Sequence, residues 1–175
     1  TEFYPQDRRL IYTGGVEVRT YQVAERAKKD FEVKIISSDS PQVPATPGSI
    51  LSRLMYLLTS FWQAFNTPFD LIEGSNFVTY LPAFLAAAIR RKPAIAWFPD
   101  VLGKRWFDFG LLVGLFGWLS EAIALKLPWT KVIALSESTK AKLVSKGIPA
   151  SKIKVVYVGL DPKEFQFKKL KKFAD

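Results

Sequence analysis

Histidine and cysteine are both absent from the 175 residues of this chain. Without cysteine there is no disulfide, no thiolate nucleophile and no cysteine-ligated zinc, and nothing points to an oxidising compartment. Without histidine, serine–histidine and cysteine–histidine nucleophilic mechanisms are excluded, and the commonest metal ligand and general base is lost. We therefore expect no metal site, and any chemistry must come from carboxylates, lysine, backbone amides or a partner segment.

Acidic residues are in deficit, with 16 aspartates and glutamates against 25 lysines and arginines and a net charge of +9. This excess favours contact with phosphates, anionic lipid or nucleic acid, but does not choose among them. Five of the lysines lie between positions 163 and 172 against a single glutamate. Such a run is typical of a solvated helix or tail.

Apolar runs long enough to span a membrane are also missing. The uncharged run at residues 109 to 120 has twelve residues, whereas a spanning helix needs about 20. We predict a helix over residues 109 to 127 that is apolar almost all round. It either packs deep against a sheet or contacts a membrane surface, helped by aromatic residues at positions 106, 107, 109, 116, 118 and 129.

Short apolar runs alternate with helical patterns along the chain. Strands are predicted at residues 31 to 37, 70 to 73, 93 to 98, 132 to 135 and 153 to 158, and further helices at 16 to 29, 50 to 65 and 82 to 91, with a loop at 38 to 48. This alternation predicts the α/β class, as a Rossmann-like three-layer sandwich with a mainly parallel sheet.

The clearest unit is VIALSESTKAKLVSKGIPASKIKVVYVGLDPKEF, residues 132 to 165. Ser136 is predicted to cap a helix, with Glu137 in the first turn, where the helix dipole favours an anion. Gly147 suits the left-handed position after that helix, and Pro149 cannot continue it. The segment therefore predicts a β-α-β unit.

Two glycines, Gly14 and Gly15, precede the first predicted helix. They let the backbone approach a ligand closely, and the amides at the helix start favour an anion such as a diphosphate, although a plain turn would use the same pair. Arg19 is a candidate phosphate partner, and Glu17 is either a second candidate site residue or simply an acidic residue that the helix dipole favours in the first turn.

Three further candidates follow strands at the edge where open α/β sheets place ligands. Asp100 follows the strand ending at Phe98 and could bond a sugar hydroxyl or cap the next segment. Ser136 and Glu137 follow another strand, where a simple helix cap is the plain alternative. No pair of carboxylates has the spacing of an acid–base hydrolase.

The β-α-β segment resembles the end of the N-terminal domain of family 4 retaining glycosyltransferases, which have the GT-B fold. The same resemblance extends to TEFYP followed by GGVE near the start and to FDLIEGSN at residues 69 to 76. It implies one half of a GT-B fold, with residues 1 to 165 forming the acceptor-side domain and residues 166 to 175 forming a basic tail or the start of the interdomain linker.

The resemblance further implies a C-terminal domain outside this chain that holds the nucleotide-sugar co-substrate and the catalytic residues. Gly14 and Gly15 would approach the donor diphosphate, and Glu17, Arg19, Asp100, Ser136 and Glu137 would lie in the cleft or bind the acceptor. No cofactor is implied, and the chain alone is expected to be inactive. Two departures stand out: the strand that usually precedes TEFYP is not in the sequence, and Pro99 stands where a histidine is common.

Two other readings stay open. A GT-B sugar-nucleotide epimerase half would share the architecture, although such enzymes commonly use histidine. A non-catalytic module for anionic polymer or nucleic acid would use the positive charge, although the aromatics are not interleaved with lysine as in a stacking platform. As a glycosyltransferase half, the chain is expected in the cytoplasm, at the inner membrane face if its acceptor is lipid-linked, and without a nucleic-acid partner.

Overall fold

The computed structural model describes residues 15–37 and 50–159. The helices are α1 (Gly15–Ala27), α2 (Ile50–Asn66), α3 (Tyr80–Arg90), α4 (Leu111–Ala124) and α5 (Glu137–Ser145). The strands are β1 (Ile72–Gly74), β2 (Ala94–Phe98), β3 (Lys131–Ala134) and β4 (Ile153–Val155), and a 3₁₀ segment spans Gly103–Phe109. Gly14, the loop predicted at residues 38 to 48 and the basic tail lie outside the described residues.

The four strands form one parallel sheet in the order β1-β2-β3-β4. Each neighbouring pair is connected by a helical crossover, as parallel pairing requires. The predicted α/β class and mainly parallel sheet are therefore confirmed, and the described residues have a Rossmann-like arrangement.

Side chains on β2 alternate between the two faces of the sheet. Ala94, Ala96 and Phe98 point into the main core, where the Tyr80 ring of α3 stacks on Phe98 with ring centroids 4.6 Å apart. Trp97 points to the opposite face, and the Arg19 guanidinium of α1 lies 4.7 Å from its ring centroid. α1 thus covers one face and α3 the other, which gives three layers.

The β3-α5-β4 unit forms as predicted, apart from the length of its last strand. Ser136 is extended and its hydroxyl accepts a hydrogen bond from the Thr139 amide at 3.1 Å. Gly147 has a φ of +93°, and its amide and that of Ile148 bond back to Val144 and Leu143. This double closure is a Schellman motif, which needs a residue without a Cβ at the left-handed position.

Several of the predicted strands and helices differ from the structure. The strand predicted at residues 31 to 37 is wrong, because residues 32 to 37 pair with none of the described strands. β-branched residues favour a strand only where a neighbouring strand supplies hydrogen bonds. β4 ends at Val155, with one further bond from the Val156 amide to Ala134. α3 begins at Tyr80, so Pro82 lies in its first turn, where its missing amide costs nothing.

The helix predicted over residues 109 to 127 is divided in two. Gly110, with a φ of +96°, separates the 3₁₀ segment from α4. α4 buries one narrow stripe, Gly114, Gly117, Glu121 and Ala124, and leaves much of its apolar surface exposed. Trp129, predicted to contact a membrane, is only 1% exposed and lies in the core, so that part of the prediction is wrong.

Candidate functional site

Polar side chains gather where the parallel strands end. Because the strands are parallel, the carboxyl ends of β1, β2 and β3 lie at one edge of the sheet. The segments that leave this edge begin at Ser75, Pro99 and Leu135. The first turns of α1 reach the same edge, because Arg19 contacts Glu73 and Trp97.

Asp100 is held from two sides. One carboxylate oxygen, Oδ1, accepts hydrogen bonds from the Lys142 Nζ at 2.7 Å and from the Val101 amide at 2.8 Å. The side chains of Asp100 and Lys142 remain 38% and 43% exposed. The pair is therefore oriented but partly open to solvent, and both of these hydrogen bonds are made by the same carboxylate oxygen.

Ser136 connects the Asp100 segment to α5. Its Oγ lies 3.0 Å from the Thr139 Oγ1, which donates to the Pro99 carbonyl at 3.1 Å. Glu137 is next in the chain, and its 65% exposed carboxylate lies 3.4 Å from the Lys140 Nζ. Ser136 therefore serves as a helix cap in this structure, and Glu137 is the exposed first residue of α5 beside it.

Arg19 is engaged by the protein itself. Its guanidinium makes a two-point contact with the Glu73 carboxylate, with the NH2 group 3.2 Å from Oε2, and it stacks over Trp97. The side chain is 10% exposed. Gly15 is the exposed first residue of α1, and the backbone there has open space around it. Glu17 lies half-buried in the first turn of α1.

A closed polar turn follows β1. Thr79 accepts hydrogen bonds from the Ser75 and Asn76 amides at 3.0 Å, and its own amide bonds to the Asn76 side-chain oxygen at 3.1 Å. All three residues are buried. Gly74 allows this turn, because a Cβ there would lie 3.1 Å from the Tyr80 backbone.

Burial dominates the electrostatics of the nearby Tyr80. Its hydroxyl donates to the Trp97 carbonyl at 2.8 Å, and burial raises the pKa of the phenol well above its ordinary value, with the negative charges of Glu121 and Glu73 adding to the shift. Tyr80 therefore stays neutral and acts as a structural donor. Within residues 15–37 and 50–159, no group of three carboxylates is arranged to hold a metal ion.

The described structure also has a cavity away from this edge. A cavity of about 530 Å³ lies beside the outer edge of β1, lined largely by apolar residues of α1, residues 31 to 36 and α2. Arg19 and Glu73 border it, but Asp100, Ser136 and Glu137 do not. The carboxyl edge of the sheet remains the candidate site, because open α/β sheets bind their ligands there.

The structure brings Asp100 and Ser136 together, places Glu137 beside them, and puts Arg19 on the other face of the sheet. Sequence reasoning missed Lys142, which reaches Asp100 across 42 positions, and Glu73, which holds Arg19. Neither has a local sequence signal, because both pairs form only when distant segments meet.

These observations define a class of protein: a Rossmann-like parallel α/β domain with its polar cluster at the carboxyl edge of the sheet. The sequence matches the family model described as Glycosyltransferase Family 4 over residues 13–164. The chain therefore belongs to Glycosyltransferase Family 4.

Solved structures with a similar fold include two of Anabaena Alr3699/HepE. The complex with UDP and glucose has 19% sequence identity and a TM-score of 0.56, covering 92% of this chain and 45% of that protein. The complex with UDP-glucose has 18% identity and a TM-score of 0.57, covering 92% and 44%. This chain thus spans less than half the length of these proteins. No curated protein matches the chain significantly.

Proposed function

We propose that this chain is the acceptor-side half of a retaining glycosyltransferase that uses a nucleotide-sugar donor. The family match over residues 13–164 is the observation that carries the proposal. In this proposal residues 1 to 165 form the acceptor domain, residues 166 to 175 begin a linker, and a second domain holds the donor and the catalytic residues. The related Anabaena protein, which binds UDP-glucose, is more than twice as long as the matched region, and this supports a second domain.

Asp100 is the proposed acceptor ligand. Lys142 and the Val101 amide fix one carboxylate oxygen, which leaves the other to accept a hydrogen bond from a sugar hydroxyl. Ser136 and Glu137 line the floor of the same cleft beside it. A carboxylate that is already oriented loses little entropy on binding, which favours it as a specificity contact.

The donor diphosphate is proposed to approach Gly14 and Gly15 at the start of α1. The amides at a helix start and the helix dipole favour an anion there, and glycine permits close backbone approach. Glu17 follows in the first turn, and Arg19 fixes that turn against Glu73 and Trp97. Charge on the leaving diphosphate can then be met by backbone amides and basic side chains, without a metal.

The test uses the full-length protein and its Asp100→Asn variant with a panel of nucleotide-sugars and acceptors. We expect the KM for the acceptor to rise about tenfold, as for the loss of one hydrogen bond to a charged group, while the KM for the donor changes less than about twofold. Asp108→Asn is the matched control, because Asp108 is 71% exposed and paired only loosely with Arg105.

Two results would contradict the proposal. If no nucleotide-sugar is turned over by the full-length protein, the enzyme assignment fails. If Asp100→Asn raises the donor KM instead of the acceptor KM, the acceptor assignment fails. NMR of the product anomer checks retention, and the isolated chain is expected to transfer no sugar.

A membrane contact is proposed in addition, through the exposed apolar residues of α2 and of the 3₁₀–α4 region. These residues are Leu51, Leu54, Met55, Leu58, Trp62, Phe107, Phe109, Leu111, Leu112, Leu115, Trp118, Leu119 and Ile123. Arg53 is the only charged residue in α2, and Lys104 and Arg105 adjoin α4. Apolar residues bordered by cations suit an anionic bilayer surface. None of the described helices is long and apolar enough to cross a membrane.

Vesicle sedimentation tests this contact. We expect the protein to bind vesicles containing phosphatidylglycerol at low salt, and Leu112→Glu to reduce the bound fraction at least threefold, since a charge then replaces a 69% exposed leucine. Val144→Glu, at a 42% exposed position on α5, is the control and should bind like the parent protein. Absence of binding, or equal loss in both variants, removes the membrane contact from the proposal.

A further inference from the structure

Glu121 is a buried carboxylate in the middle of an apolar helix. It is 5% exposed, and the other residues of α4 are apolar or glycine except for Ser120. Burying a carboxylate is costly unless hydrogen bonds replace the water it loses. A buried carboxylate is therefore expected to make several hydrogen bonds.

Three donors converge on Glu121. Oε2 accepts from the Leu102 amide at 2.8 Å and from the Trp106 indole Nε1 at 3.1 Å, and Oε1 accepts from the Gly103 amide at 2.7 Å. Within the part of the chain that the structure describes, no lysine or arginine forms an ion pair with it. The carboxylate thus binds only neutral donors from the segment that follows β2.

That segment also carries Asp100. The Asp100 carboxylate accepts from the Val101 amide, and the next two amides, those of Leu102 and Gly103, bond to Glu121. Three consecutive amides are therefore fixed by two carboxylates. Gly103 has a φ of +56°, a left-handed turn that hydrogen bonds from both sides hold in place.

The packing of α4 supports the same contact. A Cβ on Gly117 would lie 2.3 Å from the Trp106 ring, and a Cβ on Gly114 would lie 2.7 Å from the Phe107 Cα. The 3₁₀ segment thus rests directly on the α4 backbone, and the Trp106 ring lies flush against Gly117 with its Nε1 directed at Glu121.

We propose that Glu121 is the positioning residue of the Asp100 segment, holding residues 101 to 103 so that Asp100 meets the acceptor in one orientation. Its role in holding the segment stands on the contacts above, and its effect on the acceptor rests on the proposed function. Glu121 is buried and bonds to the amides of Leu102 and Gly103, so in this proposal it acts on Asp100 through the backbone.

The experiment compares Glu121→Gln with the parent in the full-length protein. Glutamine keeps the side-chain volume but places an amide NH₂ against backbone donors. We expect hydrogen exchange at the amides of Leu102 and Gly103 to become at least tenfold faster, and the acceptor KM to rise at least fivefold with the donor KM within about twofold. Trp106→Phe removes one of the three donors and should give a smaller change of the same kind.

Glu32→Gln is the control, because the Glu32 side chain is 82% exposed and lies far from this segment in the chain. Unchanged exchange at Leu102 and Gly103 in Glu121→Gln would overturn the proposal. Faster exchange with an unchanged acceptor KM would overturn the positioning role and leave a structural contact only. If the parent protein turns over no nucleotide-sugar, the proposed function fails, and the effect of Glu121 on acceptor binding fails with it. Hydrogen exchange would still decide whether Glu121 holds residues 101 to 103.

Discussion

Replacing Gly117 by alanine is expected to destabilise the protein, although alanine is the better helix former. The added Cβ would lie 2.3 Å from Cε3 of Trp106 and 2.7 Å from Cζ3 of the same ring. Ordinary carbon contacts are about 3.5 to 4.0 Å. The Trp106 indole must therefore move by about 1 Å, because the α4 backbone that carries the new Cβ cannot move away from it.

That movement has two costs and one gain. Overpacking costs about 1 to 3 kcal/mol, and the ring shift disturbs the edge contact with Phe77, whose centroid is 4.7 Å away. Losing the Trp106–Glu121 hydrogen bond costs about 1.5 to 3 kcal/mol, as for hydrogen bonds to charged groups. Higher helix propensity returns about 1 kcal/mol. The net destabilisation is about 1.5 to 5 kcal/mol, or a fall in Tm of about 5 to 15 °C.

Thermal unfolding followed by near-UV circular dichroism measures this change, because the aromatic signal reports on Trp106. Gly159→Ala is the control, since a Cβ there meets nothing within 4 Å, and its Tm should stay level or rise slightly. A Gly117→Ala variant with a Tm equal to the parent's would refute the reasoning. It would mean that the Trp106 side chain can adopt another position with little loss of stability.

Three further outcomes are expected. Ser136→Ala should cost about 1 kcal/mol in urea unfolding because it removes a helix cap, and a cost equal to that of exposed Ser138→Ala would contradict this. Arg19→Lys should cost about 1 to 3 kcal/mol because lysine cannot make the two-point, stacked contact, and a cost no larger than that of exposed Arg105→Lys would argue against it. Burial raises the pKa of Tyr80, so the stability that it contributes is complete at neutral pH and is lost as pH rises past about 10. The free energy of unfolding in urea should therefore fall less steeply above that pH in Tyr80→Phe than in the parent. Parallel pH profiles of the two proteins would disprove the assignment.

Local rules predicted the β3-α5-β4 unit well. Ser136, Gly147 and Pro149 are read within a few residues of each other, and the capping bonds that they make are equally local. The alternation of apolar runs with helical patterns likewise predicted the parallel sheet. These features depend on neighbours in the chain, so the sequence contains all of the information that they need.

The failures are all cases where a distant partner decides. Residues 31 to 37 have strand composition but no ladder with the described strands, and Trp129 lies in an apolar pattern whose burial depends on Tyr80 and Phe84. Lys142 could not be assigned to Asp100, because 42 positions separate them. One signal in the sequence does point to a distant contact. Glu121 is a lone glutamate in an apolar helix, which indicates that polar groups elsewhere in the fold bind it.

The two sides of α4 are free to evolve at different rates. Gly114, Gly117 and Glu121 each contact a specific neighbour, so we expect substitutions there to destabilise the fold. The exposed positions Leu111 and Leu115 have no such neighbour to satisfy. We expect the outer side of this helix to tolerate substitution while the inner side, and the residues 101 to 103 that are bonded to it, stay unchanged.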